Sequence, residues 1–480
     1  MKSNVIVSNF IWRFAERSGA QTVSLVVSIV LARLLAPEVF GMLALVMVFT
    51  NLLQVFVDSG LATALVQKKD ADELDFSSVF FFNIGICVIL YLIMFVSAPF
   101  IADFYNIPEL SSVIRVLCLI IIISGVKNVQ QAYVSRNLIF KRFFYSTLLG
   151  TVGAAVVGVF MAYRGYGVWA LVAQYLFSTI VGTIVLWLTV KWRPTMAFSW
   201  DRLKSLLSYG YKLLGVSILS TGYRELRSIL IGKMYASSDL AFYNRGQQFP
   251  QLIALNIDSA IDSVLLPVMS KKQDSPDAIK NMARLSIRTG TYILMPLMMG
   301  LAACSTPIIK LLLTDKWLPC VPYMQLMCIT NCFFSVFTAN YNIYKSMGRS
   351  DIYLKTSIMT SGLGILVMLF TIRFGVLWIA VGMVISSIIT LPICSYYSKK
   401  LCGYTPKELI MDLLPNISIS LIMGLIVYSF TWMSNIPSYI VLAFQIILGI
   451  FIYLILSMLT KNRSYIYLRD KFLKSQAIEQ

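Results

Sequence analysis

The chain has 480 residues, of which 58% are hydrophobic and 13% charged, with a formal net charge of +18 and no histidine. That balance excludes a set of soluble domains, and the missing histidine excludes histidine-based catalytic triads and histidine-ligated metal or haem. The basic residues are scattered among apolar stretches and form no continuous stripe, so nucleic acid is not an expected partner.

Apolar runs of roughly 20 residues bounded by polar turns are the sequence form of helices that cross hydrocarbon, whereas a spanning barrel would show alternating ten-residue segments. The start, Met1 to Arg17, lacks the basic tip, apolar centre and small-residue cleavage site of a removable signal peptide, so the first helix is expected to stay in the mature chain. The runs predict spans near 10–35, 38–66, 76–100, 112–135, 143–163 and 167–190. A second series follows near 206–234, 240–268, 284–312, 319–345, 353–372 and 375–398, and two further spans near 412–433 and 437–460 close the chain. The expected fold class is an all-α membrane protein with about fourteen transmembrane helices.

Cytoplasmic loops retain lysine and arginine, so their distribution sets the orientation. One set of alternate loops holds Lys68, Lys69, Lys127, Arg136, Lys141, Arg142, Lys191, Arg193, Arg202, Lys204 and Lys212, and continues with Lys271, Lys272, Lys280, Arg284, Arg288, Lys345, Arg349, Lys355, Lys399, Lys400 and Lys407. The opposite set holds Arg33, Arg164, Lys233, Lys310, Lys316 and Arg373. Both termini are therefore expected in the cytoplasm.

The two series of six look like copies in one orientation. Arg33, Ala36 and Asp58-Ser59-Gly60-Leu61 are matched by Lys233, Ala236 and Asp258-Ser259-Ala260-Ile261, each 200 positions later. Gly167-Val168-Trp169 is echoed by Gly375-Val376-Leu377-Trp378. Parallel repeats are a transporter architecture with the substrate path between the halves. The expected domains are a six-helix lobe over 1–195, a second over 196–400, and two extra helices with a cytoplasmic tail over 401–480.

The ionisable residues expected at membrane depth are Arg13, Glu16, Arg17, Asp58, Arg115, Arg224, Glu225, Arg227, Arg245, Asp258 and Asp262, nearly all on spans one, two, seven and eight. Intramembrane charge is costly and usually faces a cavity or pathway. Arg13, Arg17 and Gln21 recur every four residues on one helix face, which suits an anionic head group. If the first span starts near Ser18, the same arginines instead anchor the helix at the interface. Arg224 and Arg227 lie far from either end of their span, and their guanidinium forks suit a pyrophosphate, with pairing to Glu225 or Asp258 as the structural alternative.

Asp58, with Asn51 and Gln54, gives the second span a polar face, and Asp258 and Asp262, with Gln251, do the same for the eighth. Carboxylates so placed, with Glu225 beside them, can exchange a proton or hold a sodium ion; pairing with nearby lysines is the alternative reading. The eight cysteines lack the spacing of disulfides or zinc sites. No metal or organic cofactor is expected.

Several stretches, in this order and spacing, resemble one family. They are Leu31-Ala32-Arg33-Leu34-Leu35-Ala36-Pro37-Glu38-Val39-Phe40-Gly41, Gly60-Leu61-Ala62-Thr63-Ala64-Leu65-Val66-Gln67, Arg136-Asn137-Leu138-Ile139-Phe140-Lys141 and Gly165-Tyr166-Gly167-Val168-Trp169-Ala170-Leu171. The resemblance is to the polysaccharide-transport branch of the multidrug, oligosaccharidyl-lipid and polysaccharide exporter superfamily. It implies a flippase of undecaprenyl-pyrophosphate-linked repeat units in the bacterial inner membrane, working by alternating access of two six-helix lobes. Implied partners are the lipid-linked oligosaccharide, membrane lipids and other polysaccharide-assembly membrane proteins. A multidrug cation exporter of the same superfamily and a membrane polysaccharide polymerase are the competing readings. The polymerase is disfavoured by the short outer loop near Ala102 to Ser111.

Overall fold

The computed structural model describes residues 3–58, 61–68, 70–137, 139–432 and 436–479, with some side chains of the first, ninth and last helices left aside. The described residues are helical, with no strand among them. By contact the chain divides into two compact units, Met1–Ala241 and Phe242–Gln480.

The first unit contains α1 (Ser3–Leu34), α2 (Pro37–Asp58), α3 (Leu61–Gln67), α4 (Glu73–Tyr105), α5 (Glu109–Leu117), α6 (Leu119–Arg136), α7 (Lys141–Tyr163), α8 (Val168–Thr189) and α9 (Trp200–Met234). Of the second span, expected over 38–66, α2 describes the part up to Asp58 and α3 the part from Leu61 to Gln67. The chain leaves α4 through Asn106, a left-handed residue of the type that tolerates that conformation, and α5 meets α6 at Cys118. The expected outer loop near 102–111 is thus mostly helix. Leu65, Phe76, Phe80, Val129 and Trp192 form a core that joins α3, α4 and α6 to the segment after α8 and to Leu203 and Leu206 of α9. The repeat groups α9 with the later helices, yet its contacts within this unit are with α2, α3 and α4.

The second unit contains α10 (Ser237–Ser270), whose first turn straddles the division, then α11 (Pro276–Ala303), α12 (Ser305–Leu312) and α13 (Val321–Asn331). It continues with α14 (Phe334–Ser346), α15 (Ser350–Thr371), α16 (Val376–Cys402), α17 (Pro406–Ser429), α18 (Ser438–Leu459) and α19 (Arg463–Glu479). Prolines open α11 and α17, where the missing N–H costs nothing because no helical acceptor precedes it. The sharp break in this region falls at Cys304, where α11 and α12 differ by 66°, and not at Pro296 inside α11. Met295, Met298, Cys328, Ala339, Tyr344 and Leu413 share one core, and Tyr292, Met423 and Tyr453 knit α17 and α18 onto α11.

Among the described residues eleven helices are long and apolar enough to cross a membrane, and the bent α11–α12 pair makes a twelfth if it is one span. Ile89, Leu92, Ile93, Val96 and Phe100 on α4, and Ile447, Ile450, Phe451 and Leu454 on α18, are exposed. Apolar surface on that scale needs lipid around it. The chain is a multi-pass membrane protein. Outside that count, Gly19–Leu34 of α1 is a shorter apolar helix, and the sequence of α9 is interrupted by Arg224, Glu225 and Arg227.

Candidate functional site

α9 remains helical through Ser217, Ser220, Thr221, Tyr223, Arg224, Glu225 and Arg227, a stretch too polar to face hydrocarbon. Glu225 is 8% exposed and accepts a hydrogen bond from Asn51 Nδ2 of α2 at 3.1 Å. Arg224 approaches the same carboxylate through Nε at 3.5 Å, while its side chain is 64% exposed. Its two terminal nitrogens have no acceptor among the described residues. Arg227 is half-buried; its Nη2 donates to Tyr223 Oη at 3.1 Å and its guanidinium lies 5.3 Å from that ring. The two arginines therefore find different partners, and Arg224 keeps the planar fork that matches phosphate oxygens.

On α2 of the same unit, Asp58 Oδ1 accepts from Gln54 Nε2 at 3.3 Å and from Asn128 Nδ2 of α6 at 3.0 Å. Gln21 is exposed on α1. The side chains of Arg13, Glu16 and Arg17 lie outside the described residues.

In the second unit, Asp258 accepts from the Thr338 hydroxyl of α14, and Asp262 lies 3.9 Å from Lys345 Nζ. Asp58 and Asp258 thus each take a donor from a later helix of their own unit, Asn128 of α6 and Thr338 of α14. Arg245 is 6% exposed; its Nη1 donates to Gln248 Oε1 at 2.7 Å and its guanidinium lies 4.9 Å from the Trp317 ring. Those contacts engage it within the unit. No group of three potential metal ligands occurs among the described residues.

Two sets of charges fall where the sequence reading did not put them. Lys127, counted with the cytoplasmic loops, lies in the body of α6, and a Cβ on Gly182 of α8 would come within 3.1 Å of its Nζ. Arg284 and Arg288, also counted as loop residues, lie inside α11 and converge on Asp412 of α17, whose side chain is 1% exposed. Arg284 Nε donates to Asp412 Oδ2 at 2.8 Å, Arg288 Nε donates to Oδ1 at 2.7 Å, and Lys280 pairs with Glu408 at 2.9 Å. Charge on the long helices is thus not confined to spans one, two, seven and eight with Arg115. The signal was present: bases at 280, 284 and 288 and acids at 408 and 412 each recur every four residues, as facing helix stripes do.

Broken spans, together with charged and polar residues inside long helices of each unit, suit a transporter fold. The whole chain resembles the lipid II flippase MurJ in an inward closed conformation, with a TM-score of 0.76 over 97% of this chain and all of that one at 16% identity. An inward-facing multidrug resistance MATE family transporter of the MOP superfamily aligns with a TM-score of 0.60 over 79% of this chain and 94% of the other at 15% identity. The sequence profile of a family described as polysaccharide biosynthesis protein matches residues 30–322, and the chain belongs to that family.

Among its relatives, the succinoglycan biosynthesis transport protein ExoT of Rhizobium meliloti is 24% identical over 69% of this chain and 67% of its own length. The teichuronic acid biosynthesis protein TuaB of Bacillus subtilis is 26% identical over 62% of each chain. The lipopolysaccharide biosynthesis protein WzxC of Escherichia coli is 22% identical over 83% of each.

Proposed function

We propose that this protein is a flippase, not an enzyme, that carries an undecaprenyl-pyrophosphate-linked oligosaccharide repeat unit from the cytoplasmic to the outer leaflet of a bacterial cytoplasmic membrane. Its family and the names of its relatives support that reading. The observation that carries it is Arg224, in the second half of α9, with an exposed guanidinium whose terminal nitrogens have no protein acceptor among the described residues. A free fork at membrane depth is costly unless it meets an anion. Arg227 is the second proposed contact, and Arg13, Arg17 and Gln21 in the sequence of α1 are further candidates. Arg245, packed on Trp317, shapes its surroundings more than it meets the head group.

The working architecture is fourteen spans, counting α1 and α9, in lobes 1–195 and 196–400 with an added pair in 401–480, alternating access between the leaflets. Both termini are cytoplasmic in this scheme, supported by the lysine and arginine bias of alternate loops. With the cell interior negative, each negative charge moved outward gains about 2.3 kcal/mol per 100 mV.

Replacing both Arg224 and Arg227 by alanine is expected to nearly stop surface polymer in a strain lacking its own flippase, with the lipid-linked unit accumulating inside. Single alanines reduce export, and lysine variants fall between because they keep charge but lose the fork. Normal polymer from a double-alanine protein at normal membrane levels would make these arginines structural.

Asp58, Asp258, Asp262 and Glu225 are the proposed ion-coupling set, for a proton or sodium gradient. Asp58→Asn or Asp258→Asn is expected to leave the protein inserted and to weaken the gradient dependence of export; unchanged dependence in the double variant would assign both a structural role. The MATE likeness favours one competing reading, export of organic cations. Cation uptake and efflux assays on the purified protein distinguish it, and an exposed arginine fork argues for the anion.

A further inference from the structure

The α7–α8 and α15–α16 hairpins are corresponding pieces of the two repeats, yet one is closed and the other open. Both reverse at a glycine with positive φ, Gly167 at 54° and Gly375 at 117°, followed in each case by valine and then tryptophan within three residues. In the first hairpin small residues let the backbones meet: a Cβ on Gly150 would lie 2.8 Å from the Ser178 carbonyl oxygen, and one on Gly158 3.0 Å from Gln174 Cβ. The second hairpin has such an approach at Gly382, where a Cβ would lie 3.0 Å from Thr371 Oγ1, but Gly362 faces open space. Bulky residues then hold the helices apart. They leave a groove of about 710 Å³ lined by Leu366, Val367, Phe370, Phe374, Trp378 and Ile385.

At the turn end of this groove sits Arg373, between the lining residues Thr371 and Phe374. Its side chain is exposed and has no ion pair or hydrogen bond among the described residues. The corresponding Arg164 of the first repeat instead lies 5.3 Å from the Phe160 ring. An apolar trough with tryptophan and phenylalanine at its rim and one uncommitted guanidinium above it has the anatomy of a lipid: chain, interface and charged head.

We propose that the α15–α16 groove holds one anionic phospholipid, its acyl chain along Phe370 and Ile385 and its phosphate on Arg373. A single cation matches a head group with one net negative charge. A diphosphate would bring more charge than Arg373 balances, so a resident phospholipid fits better than the isoprenyl diphosphate carrier. This site does not depend on the transport reading.

The test uses the full-length protein in phosphatidylcholine nanodiscs, with lipids brominated on the acyl chain as quenchers. The signal of Trp378 is the difference between the wild type and Trp378→Phe. Brominated phosphatidylglycerol is expected to quench it at about fivefold lower lipid fraction than brominated phosphatidylcholine, the factor one basic residue contributes toward anionic lipid. Arg373→Gln removes that preference and Arg373→Lys retains most of it, which separates loss of charge from loss of fold. Equal quenching by the two lipids in the wild type, or an undiminished preference in Arg373→Gln, overturns the proposal. Relief of quenching by an isoprenyl diphosphate at equal concentration to phosphatidylglycerol also overturns it, by making the carrier the occupant.

Discussion

Each unit contains a helix that opens with a capping box and holds a buried aspartate between two bases, but at different depths. In the first unit Asp72 caps α4 and the reciprocal residue is Asp75, which is itself the buried acid, 2.7 Å from Lys68 and 3.6 Å from Arg202. In the second unit Thr405 caps α17 with Glu408, and the buried acid, Asp412, lies one turn further in. Four residues of helix carry it about 6 Å deeper. At the helix mouth, exposed N–H groups and water share in compensating a carboxylate. One turn inside, only side chains can, and there the pair is Arg284 and Arg288 with charge-assisted, partly bidentate bonds.

The comparison breaks most visibly if the deep acid is removed. Asp412→Ala leaves Arg288 without its carboxylate partner, and the expected loss of stability is about 3 kcal/mol, within the range for orphaning one side of a buried pair. Asp75→Ala is expected to cost about half as much, because Lys68 is 32% exposed and can turn to water while Asp72 still holds Arg202. Thermal unfolding of the detergent-purified variants checks the ranking; equal losses would mean that depth does not set the cost.

The smallest effect sharpens the shallow site. Asp72 is held below the usual carboxylate range, first by the Asp75 backbone N–H it accepts and then by Arg202. Its contribution is therefore present above the unfolded carboxylate value, near pH 4, and is lost as pH falls through the lower folded value. Asp72→Ala is expected to cost about 1 kcal/mol at neutral pH, the usual size of a cap. The gap to wild type should close in acid, measured as the difference in unfolding midpoint across pH; a gap independent of pH would assign the effect to packing.

Much of this fold was legible because a membrane span is written as an uninterrupted apolar run, which local sequence carries in full. The interruptions were not. The step at Cys118 and the bend at Cys304 lie inside apolar runs and are decided by how neighbouring helices pack, which periodicity does not report. The polar constellation on α2 and α9 was visible as charge inside spans, while its pairing of Asn51 with Glu225 rests on a separation of 174 residues. The pairing of Arg284 and Arg288 was not legible for a plain reason: a basic stripe near a span end carries no sign of the acid that meets it, 128 and 124 residues later.

That separation matters during synthesis. At roughly 5–20 residues per second, Asp412 leaves the ribosome on the order of 6–25 s after Arg284. Throughout that interval the two guanidiniums near the start of α11 have no acid from α17 to meet them. Completion of this charged cluster therefore waits on a partner more than a hundred residues downstream. A nascent chain halted before Asp412 would carry an unfinished membrane segment, the kind of intermediate that insertion chaperones and membrane proteases act upon.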